Sequence, residues 1–94
     1  MMSYKCSISI SNNSNKLLTF HLEPWGEQIS MPAGSTFQVK AEAKEQGEME
    51  IQYEENDILV WGWTGSVLTV FSNCKEIGGA PYSKRAAVPP VPQG

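Results

Sequence analysis

The stretch that decides the fold reads FQVKAEAKEQGEMEIQYE and covers residues 37–54. Apolar and polar residues alternate on both sides of a short polar segment at 45–47. A period of two residues is typical of a β-strand with one buried face. A three-residue loop with Gly47 in a left-handed conformation would join the two strands into a hairpin. This hairpin would set Ala43 opposite Met49 and turn the apolar residues of both strands toward the core.

The same alternation runs through the N-terminal part of the chain. Residues 4–11 and 18–23 each alternate, and a turn-rich polar segment lies between them. Pairing these two runs as a hairpin sets Ile8 opposite Phe20 and brings the apolar residues of both strands onto one face. A shorter strand around residues 28–31 is expected to follow.

A further hairpin is predicted over residues 58–71, where the apolar runs 58–63 and 67–71 flank a turn at Thr64 and Gly65. Both faces of this hairpin are apolar. The hairpin is therefore either covered on both sides, or one of its sides is a contact surface.

Together these patterns predict an all-β fold, since a helical period is not sustained over three turns anywhere in the chain. We expect a small antiparallel β-sandwich or flattened barrel of about seven short strands, the last near residues 76–77 after a turn at 72–75. Residues 1–79 would form a single domain. Residues 80–94 contain four prolines and are predicted to be a disordered, proline-rich C-terminal tail.

Composition narrows the classes of partner. The 94 residues carry a formal net charge of −3 with only seven Lys and Arg, and this disfavours nucleic acid as a partner. The longest apolar run, 58–63, is far shorter than the ~20 residues of a membrane-spanning helix, and the N-terminus lacks the pattern of a secretory signal. With only two cysteines, Cys6 and Cys74, we expect free thiols in a cytoplasmic protein.

His21 is the only histidine, and it shares the outward face of its predicted strand with Glu23. Metal sites without thiolate clusters need more than one histidine, and no catalytic triad can be assembled around such an isolated one. We therefore expect no enzyme activity, no metal and no cofactor. An enzyme centred on His21 and Glu23 is the least favoured alternative. The acidic residues between 42 and 57 are interpreted as a solvent-exposed face that keeps the domain soluble. The alternative is an acidic patch that attracts a basic partner or a loosely held calcium ion.

The aromatic residues are the strongest candidates for binding. Their large side chains can fill a small core, or they can stack on sugars and anchor a protein partner. We expect a non-enzymatic binding or interaction module that forms a homodimer through the hairpin bearing Trp61 and Trp63. The alternative is a protein that binds a carbohydrate or another small ligand through surface tryptophans. The proposed binding residues are Trp25, Trp61, Trp63, Tyr53, His21 and Glu23.

Three short segments carry a resemblance to a known group of proteins. The strings HLEPWGE (21–27), MPAG (31–34) and VWGW (60–63) together resemble small bacterial all-β proteins for which no activity is known. The resemblance covers roughly residues 17–77 and implies a cytoplasmic bacterial protein. The turn MPAGS is also similar to turns in cupins. Because the histidine ligands of metal cupins are missing, that similarity implies only a barrel-like shape.

Overall fold

The computed structural model describes residues 4–78, and within them it contains eight β-strands and no helix. The strands are β1 (Tyr4–Ser11), β2 (Leu18–Glu23), β3 (Glu27–Met31), β4 (Thr36–Ala43), β5 (Glu50–Tyr53), β6 (Asp57–Trp61), β7 (Val67–Ser72) and β8 (Lys75–Gly78). Over this part of the chain, no helix has the length and apolar character needed to cross a bilayer. The predicted tail, 80–94, lies outside the described residues.

The strands form two sheets of four strands, packed face to face as a sandwich and not closed into a barrel. Sheet A has the order β1-β4-β7-β8, and sheet B has the order β3-β2-β6-β5. The predicted all-β sandwich is thus confirmed, with eight strands instead of about seven.

Alternation along each strand sets the core between the two sheets. In β4, Phe37, Val39, Ala41 and Ala43 are buried while every intervening residue is exposed, as the sequence predicts. The rings of Phe20 and Phe37 meet edge to face across the sheets, with their centroids 5.3 Å apart. The buried core comprises Ile10, Phe20, Leu22, Met31, Phe37, Val39, Ala41, Ile58, Val60, Leu68 and Val70.

The strand pairing differs from the predicted pairing in three places. β1 pairs with β4 and not with β2, β4 pairs with β1 and β7 and not with β5, and β6 and β7 lie in different sheets. In each predicted hairpin the connection in fact crosses from one sheet to the other. An arch of this kind sets the apolar faces of consecutive strands against each other across the core, so it satisfies the same alternating pattern as a hairpin.

Sheet B is mixed, because its two central strands, β2 and β6, run parallel. Phe20 lies beside Ile58, and Leu22 lies beside Val60. All four side chains are buried. The expectation of a purely antiparallel fold is wrong for this one pair, which brings together two segments that are far apart in the sequence.

The last predicted turn is confirmed. Ser72 and Lys75 pair at the end of the β7–β8 hairpin. The two residues between them, Asn73 and Cys74, have φ values of 53° and 65°. Positive φ at both central residues is the signature of the type I′ turn, whose twist matches that of antiparallel strands.

Gly47 has a different role from the predicted one. Its φ is not positive, so it is not the left-handed residue of a hairpin loop. A Cβ at this position would overlap the indole ring of Trp63. Glycine is required here because the backbone between β4 and β5 passes directly over that ring.

Candidate functional site

The outer face of sheet B gathers most of the polar and aromatic groups that could bind a ligand. Phe20 and Leu22 of β2 and Ile58 and Val60 of β6 point into the core, so the residues between them point outward. By this alternation and the strand register, the outer face carries Thr19, His21, Glu23, Gln28, Ser30, Glu50, Gln52, Asp57, Leu59 and Trp61.

Trp61 lies near one end of this face, between two carboxylates. Glu23 of β2 is its register partner on one side, and Glu50 of β5 is its partner on the other. The indole Nε1 donates a hydrogen bond of 2.9 Å to Oε1 of Gln52, the diagonal neighbour on β5. This bond satisfies the polar edge of the indole, and the half-buried ring is held beside two acidic side chains.

His21 and Asp57 form a second polar group on the same face. Nε2 of His21 lies 2.7 Å from Oδ1 of Asp57, and the side chains are 17% and 37% exposed. The aspartate thereby orients the imidazole and satisfies one of its nitrogens. Within residues 4–78, no three His, Cys, Asp or Glu side chains are grouped as a metal ion would need.

The electrostatic character of the outer face of sheet B is acidic. Glu23, Glu50 and Asp57 contribute three carboxylates, and none of the described strand residues on this face is Lys or Arg. The outer face of sheet A differs, since Lys40 there lies over the ring of Phe71, with Nζ 4.7 Å from the ring centroid. The ring of Phe71 thus already has a cation of the chain itself above it.

The other predicted binding aromatics lie elsewhere. Trp25 and Trp63 both pack against the core from its margins. Gly62 leaves space for Trp25, because a Cβ on Gly62 would come within 2.9 Å of the indole Cη2 atom. Trp63 contacts Tyr4 edge to face at 5.9 Å and donates from Nε1 to the carbonyl oxygen of Glu45 at 3.2 Å. Both tryptophans are thus held by packing at the margin of the core, and Trp63 is also held by this hydrogen bond.

Tyr53 is 69% exposed at the end of β5, where it pairs with the buried Ile58 and so stands on the core-facing side of an edge strand. Of the six predicted binding residues, the structure therefore brings together Trp61, His21 and Glu23. Trp61 and Trp63 do not share a hairpin, because β6 ends at Trp61 and the chain then crosses to sheet A. A homodimer stays a prediction, but the hairpin surface expected to form it does not exist in this fold.

Sequence reasoning missed Asp57, Glu50 and Gln52 as members of this face. In the sequence, Asp57 and Glu50 stand out only as part of the acidic segment 42–57. Nothing local in the sequence places Asp57 beside His21. The alternation 50–53 does indicate that Glu50 and Gln52 share a face. The parallel pairing of β2 with β6 is what joins these residues to His21 and Glu23.

The two cysteines lie at opposite edges of sheet A. Cys6 is in the edge strand β1, and Cys74 is in the turn leading to the other edge strand, β8; both are free thiols. Three strand spacings of about 4.8 Å separate these edges, which exceeds the reach of a disulfide. The two thiols cannot pair within one copy of the chain.

Comparison of the chain with family models, curated proteins and solved structures finds no match in any of the three.

Proposed function

We propose that this chain is a non-enzymatic binding module and that the outer face of sheet B recognises a positively charged group of a protein or peptide partner. The observation that carries the proposal is the position of Trp61 between Glu23 and Glu50. An aromatic ring beside two carboxylates, on a face without Lys or Arg among the described strand residues, offers a cation two kinds of attraction at once.

The physical basis is the complementarity of the ring and the carboxylates. The face of an indole attracts a cation by about 0.5–1 kcal/mol at an exposed site and about 2 kcal/mol when water is excluded. Carboxylates on both neighbouring strands add Coulomb attraction, which raises the association rate and selects against anionic partners. The hydrogen bond from Trp61 to Gln52 holds the indole edge in place, so little side-chain entropy is lost on binding.

Titration of the full chain with arginine- and lysine-containing peptides tests this proposal, with calorimetry giving the affinity of every variant and the indole NMR signal of Trp61 locating the site in the original chain. The variants are Trp61→Leu and the pair Glu23→Gln with Glu50→Gln. We expect each to weaken binding at least about tenfold. A tenfold change corresponds to about 1.4 kcal/mol, which one cation–π contact or two solvent-screened charge contacts together would supply. Glu42→Gln, an exposed carboxylate on β4, is the matched control and should bind normally.

Affinity should also fall as salt is raised, because the attraction is between solvent-exposed charges. Cationic peptides that leave the Trp61 signal unmoved, or that bind the Glu23→Gln, Glu50→Gln variant as tightly as the original chain, would exclude this surface as a cation site.

A glycan is the second candidate ligand, and the Trp61–Gln52 pair favours it. An indole face can stack on a sugar ring while a carboxamide and carboxylates accept hydrogen bonds from its hydroxyl groups. A neutral sugar would bind with little dependence on salt. Trp61→Leu would abolish such binding, whereas the double Glu→Gln variant would keep part of it, since amide oxygens still accept hydrogen bonds.

We further infer a cytoplasmic location. The support is that both cysteines are free and too far apart to bridge, and persistent free thiols suit a reducing compartment. Recovery of the native protein with a mixed disulfide on Cys74, as formed in an oxidising compartment, would contradict this inference.

A further inference from the structure

The open edge of β1 is a feature of the fold that the proposed role of the outer face of sheet B does not explain. β1 spans eight residues and, within residues 4–78, pairs only with β4, on one of its two sides. The N–H of Asn12, just after the strand, donates to the carbonyl of Ser35 at 2.9 Å, and its own carbonyl accepts from Gly34 N at 2.8 Å. Since the register from Tyr4 to Ser11 is unbroken, the even-numbered residues face β4 with their backbone groups. The N–H and C=O groups of Lys5, Ser7, Ser9 and Ser11 therefore point to the open side.

β1 is the least protected edge among the four in the described residues, with Lys5 as its one charged residue. Proteins blunt sheet edges with short strands, bulges, prolines, inward-facing charges or several charged residues such as Lys along the edge. β5 has only four residues, β8 has four and an irregular register with β7, and β3 places Glu27 on its core-facing side opposite Leu22. β1 has twice the length of β5, no proline, no bulge, and uncharged residues at every core-facing position.

The apolar side chains along this edge are incompletely covered. Ile10 is buried, but Cys6 and Ile8 further along the same face are only half-buried. Gly78 of β8 packs against Ile29 of β3, so the strand orders of the two sheets place β1 over β5 at the opposite side of the sandwich. There Ile51 is also half-buried. One more strand beside β1 would pair the open backbone groups and cover this apolar seam.

We propose that a second copy of this chain pairs antiparallel with the open edge of β1, joining two four-stranded sheets into one sheet of eight strands. A two-fold axis at Ile8 would set Ile8 opposite Ile8 of the second copy. The bonded pairs would then be Ser7 with Ser9 and Lys5 with Ser11 of the second copy. Lys5 is the only charged residue of β1, and this arrangement never sets it against its own copy, which would be repulsive.

The strand itself argues for this occupant. A fitting partner strand needs small polar residues on one face, uncharged apolar residues on the other, and no proline at a donor position. β1 meets all of these requirements. The competing occupant is the chain's own segment 79–94, and the experiment must distinguish it from a second copy. This segment fits the edge less well, because its residues Pro81, Pro89, Pro90 and Pro92 lack N–H donors.

The test is the mass of the full chain in solution, measured by sedimentation velocity over a range of concentrations. We expect a dimer. The pair Ser7→Glu with Ser9→Glu would set carboxylates opposite each other in both central bonded pairs and weaken the dimer at least about tenfold. Ser7→Lys with Ser9→Glu would set opposite charges together and keep it. Because both positions are exposed in the single copy, circular dichroism should show all variants folded.

The control is Gln38→Glu with Thr69→Glu, which also adds two carboxylates to this sheet but away from its edge. It should leave the dimer intact. Amide exchange at Ser7 and Ser9 should slow as concentration rises. A monomer at all concentrations would overturn the proposal. In that case, freely exchanging amides would show that the edge stays open, and protected amides would show that the chain's own residues 79–94 cover it. A dimer that tolerates the Ser7→Glu, Ser9→Glu variant would also overturn the proposal. None of these variants alters the face around Trp61, so failure here would leave the proposed binding function standing.

Discussion

Nε2 of His21 lies 2.7 Å from Oδ1 of Asp57, and this contact joins β2 to β6, the two parallel strands in the middle of sheet B. Asp57 is not the direct register partner of His21, which is Leu59; it is the diagonal neighbour. The pair spans 36 positions of sequence. The same parallel pairing that stabilises the centre of sheet B therefore also assembles the polar part of the candidate site.

The first prediction concerns this pair. Asp57→Asn and His21→Ala should each destabilise the fold modestly, because the side chains are partly exposed and solvent screens their attraction. A double-mutant cycle in urea should give a coupling energy of about 0.5–1 kcal/mol. Glu54→Gln, at an exposed position near the same turn, is the control and should show no coupling with His21→Ala. Strictly additive effects of Asp57→Asn and His21→Ala would mean that the contact contributes nothing to stability.

The second prediction concerns the core. Phe20 is fully buried and meets Phe37 edge to face. Phe20→Ala should reduce the free energy of unfolding by about 3–5 kcal/mol, because it removes apolar contacts and leaves a cavity. The matched control is Leu17→Ala, where the side chain is 61% exposed and the change should stay within about 0.5 kcal/mol. Denaturation midpoints at unchanged slope provide the measurement, and equal losses for the two variants would contradict the assigned core.

The third prediction concerns the backbone that crosses Trp63. Gly47→Ala adds a Cβ that overlaps the indole, so the ring or the loop must move at a cost of about 1–3 kcal/mol. Gln46→Ala, at the exposed neighbouring position, should change stability little. The tryptophan NMR spectrum should show Trp63 displaced in the first variant and unmoved in the second. An unperturbed Trp63 signal in Gly47→Ala would show that the loop does not pass over the ring.

The fourth prediction concerns Asn12, which is buried and ties the β1–β2 arch to the end of β3. Its Nδ2 donates to the carbonyls of Lys16 and Met31, at 2.8 and 2.9 Å, and its Oδ1 accepts from the backbone N and Oγ of Ser14 at 3.1 and 2.6 Å. Asn12→Ala should cost about 3 kcal/mol, because it removes all of these bonds and leaves carbonyl oxygens without donors. For a domain of this size, that lowers Tm by more than about 10 °C.

Asn13→Ala, one position along and exposed, is the control for that experiment and should melt close to the original protein. If the Asn12→Ala and Asn13→Ala variants melted at the same temperature, the buried Asn12 would not stabilise the fold.

Much of the local structure is predictable from the sequence, and the strand pairing is not. The alternation in β4 predicts which four side chains are buried, and the turn at 72–75 predicts the β7–β8 hairpin. The connections β1–β2, β4–β5 and β6–β7 look like hairpins in sequence but cross the sandwich in the structure. Of the candidate site, the sequence indicates Trp61, His21 and Glu23 as separate residues, and it does not indicate that Asp57 and Glu50 lie beside them.

By itself, the sequence determined that the chain is all-β and which side of each strand meets the core, because side chains alternate along any extended strand whatever lies next to it. Only the tertiary structure decided which strands are neighbours, which tryptophan lies on an open sheet face, and which strand forms the least protected edge. Those features depend on contacts between residues far apart in the chain. Such contacts are selected by the packing of the whole core and not by any local pattern.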